Sequence, residues 1–393
     1  MTSSIDFPLT MSPYRFEQGP IRPPSEASSL LLRITRNCPW NRCEFCHTYK
    51  GKKFERRTVS EVKGDIDRMK EAASEVKALS WQLGLGGEIN PILLHYLFQP
   101  SSSQDHALLS IGWWLYHGGK NVFLQDADSL IIPTKEIVEI LRYLKETFPS
   151  IERITTYARG KTISKKSVEE LKALREAGLS RIHIGLETGY DPLLQYVKKG
   201  VTVREHIEAG RRVREAGLSL SEYVILGLGG KKMWREHAIE TAKALNQINP
   251  DFIRVRTLKV LKCMPLYQKI ENGDFILSKE DEIIEEERLL IENLNGITSN
   301  FVSDHILNLL EEIEGKLPED KGKMLAIMDR YFSFSEEERK LYRLGRRLGV
   351  FRSLNDLLNR ELREEVERVF KEIHSHPSKD FDQFVSSLME SFL

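Results

Sequence analysis

Arg175-Glu176-Ala177-Gly178-Leu179-Ser180 returns later in the chain as Arg214-Glu215-Ala216-Gly217-Leu218-Ser219. In each copy a helical stretch ends on a basic and acidic turn, stops at a glycine in the C′ position, and passes into an apolar run suited to a strand. The repeat therefore marks a βα unit. Reading outward from it, strand-like runs at 121–125, 151–157, 181–186, 221–226 and 252–260 alternate with helical periodicity at 134–147, 164–177, 202–216 and 234–247. Strands separated by helices predict a parallel sheet, and the apolar run 29–35 brings the count to about six. The expected fold is α/β.

The chain has 393 residues, 40% hydrophobic and 30% charged, enough for one large core and an appendage. Its 58 basic residues balance 58 acidic ones, so no global field attracts nucleic acid or an anionic membrane. The strongest apolar stretch, Leu108 to Tyr116, falls short of the ~20 residues of a spanning helix. No signal peptide is read at the N-terminus, and the expected location is cytoplasmic, where thiols stay reduced.

Three of the four cysteines lie in Cys38-Pro39-Trp40-Asn41-Arg42-Cys43-Glu44-Phe45-Cys46, directly after the strand 29–35. Thiolates gathered this closely select zinc, copper(I) or iron–sulfur, and three of them leave one metal position open to an outside ligand. A zinc knuckle would need a fourth ligand such as His47, whose place next to Cys46 suits joint coordination poorly, and no second paired CxxC is present. The few cysteines argue against disulfides. Cys263 reads as a small buried residue.

This cluster, CxxxxCxxC, resembles the signature of the radical S-adenosylmethionine (SAM) superfamily, although the commonest spacing in that family is one residue shorter. The resemblance implies a [4Fe-4S] cluster on Cys38, Cys43 and Cys46, SAM on the fourth iron, and Phe45 near the adenine. It also implies a partial (β/α)6 TIM-like barrel over 29–274, entered from an extended arm at 1–28 that carries five prolines. A helical insertion is expected at 80–119 and a helical accessory domain at 275–393. The Gly84-Leu85-Gly86-Gly87-Glu88 run resembles the family's SAM-amino motif but follows no convincing strand. That role is expected instead at the end of strand 122–129, on Asp126 or Asp128. Ile184-Gly185-Leu186-Glu187 resembles the fourth-strand segment in which the glutamate approaches SAM, so Glu187 is a candidate cofactor-binding residue.

Tyr157, Arg159, Arg254, Arg256 and the glycine run 227–230 lie at or near other strand ends, where barrel enzymes gather their sites. The charge runs after residue 275 read as solvated helix faces. The polar segment Thr298 to His305 either lines the substrate side or contains a helix cap at Ser303. The resemblance implies reductive SAM cleavage to a 5′-deoxyadenosyl radical that abstracts hydrogen from a substrate, with electrons from a reductant such as flavodoxin or ferredoxin. Its general likeness is to single-cluster members, including oxygen-independent coproporphyrinogen oxidases. Too few cysteines remain for a second cluster, and too few residues precede Cys38 for a cobalamin domain. A small-molecule substrate is expected, with neither membrane nor nucleic acid as partner. Two alternatives stay open. One is a nonenzymatic iron–sulfur redox sensor with a closed cluster; the other is an RNA-modifying enzyme using Lys50, Lys52, Lys53, Arg56 and Arg57.

Overall fold

The computed structural model describes residues 14–99, 105–374 and 380–390. Along the chain, β1 (Leu30–Arg33), the short hairpin strands β2 (Thr35–Arg36) and β3 (Glu55–Arg56), and helix α1 (Val59–Gln82) come first. Helices α2 (Pro91–Phe98) and α3 (His106–Tyr116) follow, then the βα alternation: β4 (Asn121–Gln125), α4 (Thr134–Thr147), β5 (Arg153–Ala158), α5 (Gly160–Ile163) with α6 (Val168–Glu176), and β6 (Leu179–Glu187). It continues through α7 (Asp191–Tyr196), α8 (Val203–Glu215), β7 (Ser219–Leu226), α9 (Gly230–Ile248) and β8 (Phe252–Thr257). The last part holds α10 (Pro265–Glu271), α11 (Glu280–Asn293), β9 (Asn300–Val302), β10 (Gly315–Lys316) and helices α12 to α15 (Lys321–Ser333, Glu336–Arg347, Arg360–His374, Phe381–Glu390).

The sheet has eight strands in the order β1, β4, β5, β6, β7, β8, β9, β10, with the β1–β4, β4–β5, β7–β8 and β8–β9 pairs parallel, the α/β arrangement of a partial TIM-like barrel. The paired glycines of the sequence repeat do what their position requires. Gly178 and Gly217 have φ of 115° and 73°, a left-handed turn that a side chain resists, and each ends a helix ahead of β6 or β7. The helices start on chemistry legible beforehand: Thr58 and Glu61 form a reciprocal capping box at α1.

The chain forms two compact units. The first holds the residues up to Pro39 with 51–158 and 168–182; the second holds 40–50, 159–167 and 183 onward. In the first, α1 packs its buried face, Val62, Ile66, Met69, Ala72 and Val76, as its periodicity requires. The N-terminal arm is tied down there: the Gln125 side chain receives the Gly19 N–H (2.8 Å) and donates to the carbonyls of Gly19 and Ile21. The arm's first 13 residues lie outside the described ones.

In the second unit, one hydrophobic cluster runs from Leu186, Val224 and Val255 through Leu290, Ile291, Phe301 and Tyr331 to Phe351 and Val385. The residues after 275 thus share a core with β6 to β8, and the boundary expected at 275 does not coincide with a division of the chain. The segment Thr298 to His305, expected as a site lining or a helix cap at Ser303, contains β9 and no helix start; β9 pairs parallel to β8 and antiparallel to β10. A three-residue strand carries too short an alternation to be told from a polar loop. The charge runs are only partly solvated. Glu286, Glu287, Arg343, Arg346 and Arg347 are buried, and Arg347 and Arg346 are ion-paired to Glu280 and Glu311. Cys263, expected to be buried, is exposed in the turn before α10.

Candidate active site

The cysteine loop is closed by asparagines. Asn37 and Asn41 adopt left-handed backbone angles (φ 66° and 48°), which Asn tolerates better than most residues. The Asn41 amide donates to the Tyr49 carbonyl, and Lys50 Nζ reaches the Asn41 carbonyl at 3.0 Å. Cys38, Cys43 and Cys46 are half-buried and none is in a disulfide. Their chemistry fits an iron–sulfur cluster: three soft thiols on one short loop, with one metal position left open. Among the described residues, no three Cys, His, Asp or Glu side chains are gathered so as to hold a metal ion as they stand.

In the first unit, Asp126 is where the sequence placed it, at the end of β4, but its carboxylate is engaged. One oxygen receives Arg33 Nε (2.8 Å), Arg33 Nη2 (2.5 Å) and the Asn37 N–H (3.0 Å). The other faces Gly19, where a Cβ would come within 2.1 Å of it. A fully buried carboxylate paired in this way anchors the entrance to the cysteine loop. Asp128 is also fully buried, ahead of a short 3-10 turn at Ser129–Ile131. Arg57, counted among the phosphate-binding cations, is buried against Asp65 (2.7 Å) and donates to the Arg33 carbonyl. Glu17 of the arm sits among Arg33, Arg36 and Arg57; burial pushes its pKa up, but the arginines outweigh that and hold it below the usual carboxylate range.

In the second unit, Glu187 ends β6 with a left-handed φ of 62°, which folds its carboxylate back over Gly185. Its partner is Lys199, Nζ to Oε1 at 2.5 Å, both side chains almost wholly buried. Gly185 makes this cradle: a Cβ there would meet Glu187 Oε1 at 2.2 Å and Lys199 Nζ at 2.9 Å. The lysine stands over the Phe45 ring (5.7 Å to its centre). Burial alone would lower the Lys199 pKa, but the neighbouring Glu187, and after it Cys43, outweigh this and raise it above the usual lysine value.

Glu222 on β7 is fully buried and neither oxygen has a hydrogen-bond partner. Burial, then the Glu187 charge, raises its pKa well above the usual range, with Lys199 opposing. His206, buried on α8, is pushed down to about 3 by burial and by the cations Lys199 and Arg159, so it is neutral. Lys199, Glu222 and His206 were missed in the sequence. Only Glu222 left a signal, a carboxylate inside an otherwise apolar or small-residue strand.

Arg159 donates to the Lys199 carbonyl (2.9 Å), and its guanidinium lies 5.2 Å from the centre of the Trp40 ring. The Trp40 indole N–H donates to the Lys198 carbonyl (2.7 Å). Gly200 (φ 72°) lies against that ring, where a Cβ would come within 2.3 Å. Gly200→Ala combines a positive φ with this overlap and is expected to cost about 2 kcal/mol of stability, measured by urea unfolding.

Arg254 pairs with Asp304 (2.7 Å), and Arg256 stands over Tyr223 (4.6 Å). The glycine run 227–230 forms the turn into α9. There the Gly227 N–H donates to Glu286 Oε1 (2.8 Å), and Gly229 and Gly230 pack against Met233 and Phe275. Glu286 also approaches His237 Nε2 (3.3 Å), whose Nδ1 is 2.8 Å from Thr188 Oγ1, so one buried network steadies both the Glu187 loop and the glycine turn. The Gly84 to Glu88 run lies in the turn after α1, away from any strand end. No helix among the described residues is long and apolar enough to cross a membrane.

The family model for the radical SAM superfamily matches residues 108–242, from α3 into α9. The tRNA uridine(34) acetyltransferase of Methanocaldococcus jannaschii is 27% identical over 123 residues, 30% of this chain and 22% of that protein. The heme chaperone HemW of Bacillus subtilis is 24% identical over 129 residues, 32% of this chain and 34% of that one. These matches thus span about a fifth to a third of the relatives' length. Among solved structures, coproporphyrinogen III oxidase (HemN) of Escherichia coli, a radical SAM enzyme, aligns with a TM-score of 0.43 at 17% identity, over 68% of this chain and 52% of that one. The family match thus covers about a third of the chain, the βα units from α3 into α9, and over those residues the chain is similar to the radical SAM superfamily, whose enzymes use a [4Fe-4S] cluster and S-adenosylmethionine.

Proposed function

We propose that Cys38, Cys43 and Cys46 hold the [4Fe-4S] cluster and that SAM binds beside it against Phe45 and Glu187. The carrying observation is that Cys43, Phe45, Lys199 and Glu187 share one charged neighbourhood in the second unit. When bound, the two cofactors supply reductive cleavage of SAM and hydrogen abstraction from the substrate. The chain's own residues do the rest. Phe45 offers an apolar wall, Glu187 accepts hydrogen bonds from cationic or hydroxyl groups, and Lys199 fixes the direction of Glu187. Glu222 holds its proton, so it adds a neutral donor rather than a second negative charge. Asp128 stays a proposed acceptor for the SAM ammonium. A one-electron reductant, flavodoxin or ferredoxin by type, is required.

The test is electron paramagnetic resonance of the reduced, reconstituted protein with and without SAM. The spectrum is expected to change on adding SAM, and Glu187→Gln is expected to weaken SAM binding about 10-fold by calorimetry, the value of one charge-assisted hydrogen bond. An unchanged spectrum together with no SAM binding returns the protein to the closed-cluster sensor.

A second reading, an RNA substrate, is favoured by the similarity to tRNA uridine(34) acetyltransferases. The burial of Arg57 and the balanced charge favour a small molecule. Adding total tRNA in one arm and a metabolite extract in the other, then following 5′-deoxyadenosine, separates them: acceleration by tRNA alone would support RNA.

A further inference from the structure

Glu44 lies between Cys43 and Cys46 and is only 3% exposed. Four tethers converge on this one residue. Its N–H donates to the Val197 carbonyl (3.0 Å), and its own carbonyl receives the Leu266 N–H (3.0 Å). Its carboxylate meets Lys198 Nζ at 2.7 Å on one oxygen and Lys269 Nζ at 2.6 Å on the other. Lys269 is itself held: it donates to the Tyr196 carbonyl (3.0 Å) and stands 3.6 Å over the centre of the Tyr196 ring. The neighbouring Phe45 packs into the same region with Leu193, Val197, Met264 and Leu266.

A carboxylate buried in a surface loop is costly unless paired, so its retention here calls for a role. Pinning residue 44 from both the α7 end and the α10 start restricts the loop stretch that carries two of the three thiols. We propose that Glu44 is a positioning residue that holds the cysteine loop on α7 and α10 in the conformation that takes the cluster. The inference rests on the cysteine assignment above. Because Lys198 is mostly exposed and Lys269 is not, the pair with Lys269 carries most of the effect.

The test uses the full chain with Glu44→Gln, Glu44→Ala and Lys269→Met. In metal-free protein, hydrogen exchange of the amides of residues 40–49 is expected to rise about tenfold in each variant, with exchange elsewhere unchanged. In reconstituted protein, iron release to a chelator is expected to be about tenfold faster, the range seen when groups that orient metal ligands are removed. The Glu44→Gln and Lys269→Met effects should not add when combined, and Lys198→Met should change little. Loop exchange equal to wild type in all the variants, or a rise spread over the whole chain, overturns the proposal. If wild type itself takes up no iron, the cysteine assignment falls, while the exchange measurement still decides whether Glu44 holds the loop.

Discussion

Replacing Cys38, Cys43 and Cys46 together by alanine is expected to remove cluster iron and sulfide and to lower 5′-deoxyadenosine formation from SAM by more than about 100-fold. Loss of a group that merely orients a metal ligand costs 10- to 100-fold, so loss of the ligands themselves must exceed it. The fold should survive, because the cysteines are half-buried loop residues outside the hydrophobic cores. Iron and sulfide analysis of anaerobically reconstituted protein, with circular dichroism as the fold control, checks it. Cys263→Ala should keep both cluster and turnover, since that thiol is exposed ahead of α10. Full iron retention in the triple variant would falsify the ligand assignment.

The second large effect is on stability. Glu287 on α11 is buried, and burial, reinforced by the charge of Glu286, raises its pKa to about 8. The folded chain therefore keeps this proton well above the pH at which the unfolded chain releases it. Below the unfolded carboxyl pKa both states are protonated and the site costs nothing. As pH rises from there toward 8 the unfolded state gains, and stability is lost progressively. Glu287→Gln removes the titration. It is expected to be close to neutral at pH 4 and to stabilise by on the order of 4 kcal/mol at pH 8, one pKa step being about 1.4 kcal/mol. Urea unfolding of both proteins across this pH range measures it. A pH-independent difference would mean that Glu287 is ionised in the folded state.

The alternation of strand and helix was legible because each βα unit is written locally: helical periodicity, a glycine stop, an apolar strand. The repeats at Gly178 and Gly217 say this without any long-range contact. The cysteine loop was legible for the same reason, since its three thiols are neighbours in the chain. Glu187 was visible as a carboxylate at a strand end, and the structure puts it in the Lys199 pair. What the sequence by itself determined, then, was whatever is encoded within one turn, one strand or one loop.

Only the tertiary structure decided which charges are solvated and which are partners. Asp126 read as a ligand acceptor, and the fold pairs it with Arg33 and Asn37. The charged helix α11 read as a solvated face, yet it buries Glu286 and Glu287 against the second unit's core. Glu44 and Lys269 are far apart in the chain, and nothing in the spacing of either announces the other. A charged side chain carries the same letter whether it faces water or a partner, and the difference of several kcal/mol between those fates is set by neighbours that arrive from elsewhere in the chain.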